Sequence, residues 1–339
     1  MQFQYKLEAT PIDEKIWFNT LDKFSDSSIY QTIQYAKLSR GGNNLIQVLI
    51  KKEDKIAAAT LVRIIKFPFT KLGIGYIFWG PLLQGSNDNQ DNLLTITLKL
   101  LFEEFVIKRK LVLRIVPQGF YENYKCLDID FLNSKFRRTK KDRLRKTIVL
   151  DLSPTLEELR KNFLQKWRNL LNKAERSNLE IVQGHDDQLF EKFLELYSEL
   201  IERKKFAEGV NVSTFRRVQL SLPEKLKMRI FICLYEGKPI AGLVGTAIGD
   251  TGIYLLGATN DIGMKLPGAY LLQWEVIKWL KSESCKYYDL GGIDPEGSPG
   301  VYKFKLGLGG QEYNYLGEFE SEKNNLSKML LNLIEMVKK

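Results

Sequence analysis

Apolar positions along this chain follow two periods, and the switches between them mark out its elements. Short strand-like runs such as KIAAATLV (55–62), LVLRIV (111–116) and KPIAGLVG (238–245) are bounded by glycine, proline or charged turn signals. Other stretches repeat at helical spacing. In SPTLEELRKNFLQKWRNLLNKAERSN, Leu159, Phe163, Trp167, Leu170, Leu171 and Ala174 form one stripe, with Ser153 as the expected N-cap and Pro154 at the first helical position. In DDQLFEKFLELYSELIERKKF, Leu189, Phe190, Phe193, Leu194, Tyr197, Leu200 and Ile201 share a face, while Arg203, Lys204 and Lys205 keep the end polar. A last helix is expected near 322–337 on Leu326, Met329, Leu330, Leu333, Ile334 and Val337. The stretch 269–282 differs, because its apolar residues (Leu271, Leu272, Trp274, Val276, Ile277, Trp279 and others) surround nearly the whole circumference. Such a helix is buried on most sides. Gly268 at its start either offers free N–H groups to an anion or simply turns the chain after Pro267.

The elements repeat. KIAAATLV, GYIFWGPLL (75–83), the helical stretch 93–110 and LVLRIVPQG (111–119) recur as KPIAGLVG, GIYLLGATN (252–260), AYLLQWEVIKWLKSES (269–284) and KYYDLGGIDPEG (286–297). Each copy runs strand, strand, helix, strand, at an offset of about 178 residues, which suits a duplicated domain rather than a solenoid. The fold class is therefore α/β with mixed sheets, in two tandem domains at 1–147 and 148–320 followed by a helix at 321–339. The closing strands align RIVPQG with GIDPEG, so Val116 stands where the second copy has Asp294.

Composition narrows the chemistry. With 339 residues, 44% of them hydrophobic and 12% aromatic, the chain can bury a sizeable core. No run is long and apolar enough to span a bilayer, and MQFQYKLEATPIDEK lacks the features of a signal peptide, so the expected location is cytoplasmic. Three widely spaced cysteines (Cys126, Cys233, Cys285) and one histidine, His185, argue against a disulfide framework, a zinc site or a histidine-based triad. The net charge is +10, and its densest run, KFRRTKKDRLRK (135–146), has eight cations against one acid. Such a run meets RNA phosphates, nucleotide diphosphates or an anionic membrane face, or is simply a solvated segment.

The stretch YDLGGIDPEGSPGVYKFKLGLGG (288–310) interleaves glycines with Tyr302, Phe304, Lys303, Lys305, Asp289, Asp294 and Glu296. A linker has no need of that pattern. If the YKFK segment is extended, Lys303, two residues from Lys305, is expected to point to the other face.

These blocks together carry a family resemblance. YLLGATN, LPGAYLLQWEVIKWLK, YYDLGGIDPEG, GVYKFKLGLGG and LGEFE, with upstream KTIVLDLSPTLEELRKNF, FLELYSELIERKKF, YIFWGP and YQTIQYAKL, resemble the FemABX family across nearly the whole chain. That family comprises non-ribosomal peptidyltransferases built from two tandem GNAT-like acyltransferase domains. Without a long charged heptad hairpin, the chain is similar to the compact members that lack a coiled-coil arm. Val116 replaces the acid the family uses at the end of the first domain's strand, which leaves the acceptor open, and KWRNLLNKAERS is closer to relatives associated with surface-polysaccharide genes.

The resemblance implies an enzyme that moves an aminoacyl group from aminoacyl-tRNA to an amine of a peptidoglycan precursor, either UDP-MurNAc-pentapeptide or a lipid-linked form, at times peripherally at a membrane. The alternative is an acyl-CoA-dependent N-acyltransferase acting on an amino sugar or nucleotide-sugar of a surface polysaccharide. No metal or cofactor is implied, because the ester is already activated and the enzyme needs only to position, deprotonate and stabilise an oxyanion. By the same resemblance Lys305 matches the lysine of the family's Y-x-F-K motif and is the catalytic candidate. Lys37, Arg203, Tyr254, Asp294, Tyr302 and Phe304 are the substrate-binding candidates, with Asp289 and Asp294 orienting the amine or bracing the loop. Which amino acid is transferred is not written in the sequence.

Overall fold

The computed structural model describes residues 5–39, 44–66, 73–85, 87–120, 134–139, 146–204 and 211–321. The helix expected at 322–337 and residues 140–145 of the basic run lie outside them. The chain divides into two compact units, Met1–Arg145 with Asn314–Lys339, and Lys146–Tyr313.

The first unit is built on one sheet of β1 (Tyr5–Pro11), β2 (Leu45–Lys52), β3 (Lys55–Lys66), β4 (Gly73–Phe78), β5 (Leu82–Leu83), β6 (Val112–Val116), β7 (Arg137–Arg138) and β15 (Phe319–Ser321), in the order β1-β2-β3-β4-β6-β15-β7 with β5 beside β3. Strands β2, β3 and β4 form an antiparallel meander, and β6 returns parallel to β4. A parallel return needs a crossover helix, supplied by α3 (Asn87–Leu101), which continues as a π-helical turn, Phe102–Lys108. Its Leu94, Leu98, Leu101 and Phe105 pack with Val48, Val62, Ile77 and Leu113 of the sheet. Helices α1 (Glu14–Leu21) and α2 (Ile33–Leu38) precede the meander. Residues 319–320, expected in the second domain, and 321, expected in the terminal helix, pair instead with β6 and β7 of the first sheet. Electrostatics fixes that return, because the buried Glu320 carboxylate receives Arg114 and Arg137, each at 2.5 Å.

The second unit repeats the plan with β8 (Lys146–Asp151), β9 (Glu180–Gly184), β10 (Arg229–Tyr235), β11 (Lys238–Ile248), β12 (Thr251–Thr259), β13 (Tyr287–Ile293) and β14 (Gln311–Asn314), ordered β14-β8-β13-β12-β11-β10-β9. Its helices are α4 (Leu156–Asn162), α5 (Gln165–Glu175), α6 (Asp187–Lys204), α7 (Val212–Ser221), α8 (Asp261–Lys265), α9 (Gly268–Ser282) and α10 (Pro299–Leu306). The crossover from β12 to the parallel β13 is α9, the helix whose apolar circumference predicted burial. Residues of α9 and α5 share one core with the sheet, including Trp167, Leu171, Leu272, Ile277 and Leu243. On the other face, α6 lies so close to β11 that a Cβ at Gly242 would stand 2.8 Å from Phe193.

The single helix expected from Ser153 is two. Ser153 Oγ bonds to Asp151 instead, and Thr155 caps α4 in a reciprocal capping box with Glu158. Phe163 and Leu164 then turn extended (ψ 144° and 143°), which buries Phe163 and lets Leu164 N donate to Gly307 O at 2.9 Å before α5 begins. Packing thus overrides helix periodicity at one point. Replacing Thr155 by Ala should cost about 1 kcal/mol of stability, read as a lower urea midpoint with an unchanged slope. Among the described residues no helix is long and apolar enough to cross a membrane.

Candidate functional site

The two sheets differ where the parallel strands meet. In the first unit β4 and β6 pair along their whole length, Ile74 with Val112 through Phe78 with Val116. In the second, β12 and β13 pair at only three positions, ending at Ile253 with Asp289. Both strands carry irregularities at that point. The β11–β12 register shifts between Val244 and Gly245, and the β13–β8 register shifts between Asp289 and Gly292. Beyond Asp289 the strands separate and leave a fork, whose backbone groups no longer satisfy each other across the gap.

Lys305 fills the base of this fork. The segment expected to be extended is helical: Tyr302–Lys305 lies on α10, with Pro299 at its first position, and Lys303 faces solvent while Lys305 faces inward. Lys305 is 7% exposed, and its Nζ donates to Gly291 O at 3.2 Å and Gly292 O at 2.9 Å, standing 5.4 Å from the centre of the Tyr254 ring. Gly291 lies within the irregularity of the β13–β8 ladder, and Gly292 is where pairing with Thr147 resumes. The bulge is held by Asp289, which is buried and accepts from Gly291 N (2.8 Å) and from Thr147 Oγ1, itself 3.0 Å from Gly291 O. Gly291 has φ +71°, and a Cβ there would approach Tyr254 O to 3.0 Å, so the turn demands glycine.

Burial lowers the pKa of Lys305 to about 8, and the Asp289 carboxylate works against that shift. Near neutral pH the group is an ammonium, with the Gly291 and Gly292 carbonyls accepting from it. Tyr254, pushed up to about 12 by burial, stays a phenol. Its hydroxyl lies across Gly257, where a Cβ would fall 1.8 Å from it. Deeper in, Tyr288 donates to Gln273 Oε1 at 2.9 Å.

The structure brings together Lys305, Tyr254 and Asp289, and gives the remaining candidates structural partners. Phe304 is partly buried and packs on Tyr270 and Trp167, and its carbonyl accepts from Trp167 Nε1 at 3.1 Å. Tyr302 donates to Glu312 at 2.5 Å. Asp294 is exposed and accepts from Gly297 N at 2.9 Å, which braces the turn into α10. Arg203 fastens the end of α6 to Asp261 Oδ1 and Thr259 O, both at 2.8 Å. Gly268 is buried with its N–H donated to Leu266 O at 2.7 Å, so packing against Cys233 accounts for it, not an anion. Of the basic run, Arg137 is paired with Glu320 and Arg138 lies over Phe319. Cys233 and Cys285 are buried thiols raised to about 12 and about 11 by desolvation, which removes them as nucleophiles at neutral pH.

Thr147 was not legible as a site residue, because a single threonine in KTIVLD reads as strand. Gly257 did leave a signal, since glycine inside a strand marks a close approach.

The first unit has a concavity of its own. Tyr30, Tyr35, Tyr76, Phe78 and the buried Arg63 line a small cavity of about 30 Å³, with the Arg63 guanidinium 5.3 Å from the centre of the Tyr76 ring. Lys37 follows Tyr35 and Ala36 on α2 and pairs with Glu14 at 2.8 Å.

The chain is similar to known proteins at three levels. Residues 158–306 match the Acetyltransferase (GNAT) domain family. A UDP-N-acetylmuramoylpentapeptide-lysine N(6)-alanyltransferase of Weissella viridescens is 26% identical over 180 residues, covering 52% of this chain and 53% of that protein, so the match spans about half of the curated relative's length. The crystal structure of FemX superposes with a TM-score of 0.80 at 15% identity, over 97% of this chain and 100% of that one. A tandem GNAT protein from the clavulanic acid biosynthesis pathway gives 0.50 at 11% identity, over 94% and 98%. The fold is thus the tandem GNAT fold, with its fork in the second unit. With the motif blocks carried by the sequence, these likenesses make the chain similar to Fem-type proteins in sequence over half its length and in fold over nearly all of it.

Proposed function

We propose that the protein is a cytoplasmic acyltransferase that moves an aminoacyl group from aminoacyl-tRNA to an amine of a peptidoglycan precursor, with no metal or other cofactor. One observation carries the reading: among the described residues, the place where β12 and β13 cease to pair holds a buried lysine whose Nζ donates to the Gly291 and Gly292 carbonyls. The acceptor amine attacks the ester carbon of the donor, a C–N bond forms, the ester C–O bond breaks, and the tRNA leaves as its ribose alcohol. The Lys305 ammonium stabilises the oxyanion of the tetrahedral intermediate and then the departing oxygen. Asp289 and Thr147 set the carbonyls that aim Lys305, and Tyr254 walls the fork. Similarity to a UDP-N-acetylmuramoylpentapeptide-lysine alanyltransferase supports a nucleotide-linked pentapeptide as acceptor.

The test incubates the protein with UDP-MurNAc-pentapeptide and either alanyl-tRNA or acetyl-CoA, and reads product mass. The expected product is the pentapeptide extended by one residue, formed only with the charged tRNA. Transfer from acetyl-CoA alone would overturn the reading in favour of the CoA-dependent enzyme.

A further inference from the structure

We propose that the solvent face of α5 is a track for the phosphodiester backbone of RNA, running up to the fork; this rests on the tRNA-dependent reading above. Lys166, Asn169, Lys173 and Arg176 are all exposed. At 3.6 residues per turn they fall within about 80° of one another on the side opposite the buried Trp167, Leu171 and Ala174. Lys173 Nζ approaches Lys265 O at 3.5 Å, which places exposed Lys265 of α8 beside the stripe.

The stripe is not explained by ion pairing within the helix, although Lys173 and Arg176 at its end complement the helix dipole. None of its three cations has an acid three or four residues away within α5. The helix's one acid, Glu175, is taken by Arg160 of α4 in a bidentate pair at 2.8 and 2.5 Å. Lys173 and Arg176 are like charges at a repelling spacing. On the neighbouring α4, by contrast, exposed Lys161 is paired at helical spacing with Glu157 at 2.9 Å.

Location supplies the second argument. The start of α5 is bonded to the helix that carries Lys305, through Leu164 N to Gly307 O and Trp167 Nε1 to Phe304 O. From Lys166 to Arg176 the stripe extends about 15 Å away from that junction, enough to follow several phosphates of a strand whose acylated end lies in the fork. An anionic membrane is the less suitable partner, because a membrane-surface helix inserts its apolar side chains beneath its cations. Those of α5 are in the core.

The variant K166E/K173E/R176E tests this. The dissociation constant for uncharged tRNA at 0.1 M salt should rise about tenfold, and the plot of log Kd against log salt should flatten by about 2. The KM for charged tRNA should rise while that for the acceptor stays fixed, and K166Q/K173Q/R176Q should shift Kd in the same direction by less. A triple reversal with wild-type tRNA affinity and salt slope overturns the track but leaves the donor reading intact. A wild-type protein that binds no tRNA overturns both. Loss of binding to phosphatidylglycerol vesicles with tRNA binding retained would make the stripe a membrane contact and overturn the proposal.

Discussion

Lys305→Ala should abolish transfer, lowering kcat/KM by at least about 10³-fold, while the acceptor still binds with unchanged affinity. Removing one preorganised oxyanion donor typically costs two to three orders of magnitude in rate, and Lys305 is the ammonium held at the fork. Lys305→Met separates this role from a structural one. Burying the ammonium depresses its pKa from 10.5 to about 8, which disfavours the charged folded state by about 3 kcal/mol at neutral pH. The methionine substitution removes that penalty at similar volume but leaves two carbonyls without a donor, each costing about 1–3 kcal/mol, so the two effects roughly offset and this variant should stay folded at pH 7 and be inactive. Between pH 8 and 10.5 the unfolded chain binds the extra proton, so wild-type stability rises with pH relative to the Lys305→Met variant. Thermal unfolding at pH 7 and pH 9.5 checks both expectations. An inactive variant that is also unfolded at pH 7 would mean that Lys305 is structural.

Asp289→Ala should lower activity about 10²-fold at pH 8.5, because it removes both the brace of the bulge and the charge that keeps Lys305 protonated. The pH profile distinguishes the two contributions. Transfer needs a neutral acceptor amine and a protonated Lys305. Log kcat/KM should therefore climb with unit slope and level off near pH 8, where growing amine availability is offset by loss of the ammonium. Asp289→Asn keeps an acceptor for Gly291 N but not the charge, so its break should move below pH 8. The plateau should then drop by a factor equal to the shift, about tenfold per pH unit. A break that stays at pH 8 in the Asn variant would show that Asp289 acts by geometry alone.

Much of this protein was legible in its sequence. Strand and helix periods, the repeat and the all-round apolar character of 269–282 follow from local side-chain patterning, and patterning is what decides which faces are buried. Lys305 was legible only through its motif, since one lysine among glycines carries no periodicity. The break at Phe163–Leu164 was hidden, because the stripe continues across it and the gain comes from Gly307, more than 140 residues away. The surroundings of Phe304 and Tyr302 were hidden for a similar reason: the segment is a helix, which packs the partly buried Phe304 on Tyr270 and brings Tyr302 to Glu312.

By itself the sequence determined the elements, the duplication and the residue types available for chemistry. Only the tertiary structure decided which copy opens into a fork and that Asp289, Thr147 and Gly291 converge on Lys305. Opening depends on strand register and on two bulges in neighbouring ladders. Register is a property of paired strands distant in the chain, so neither copy read alone reveals it.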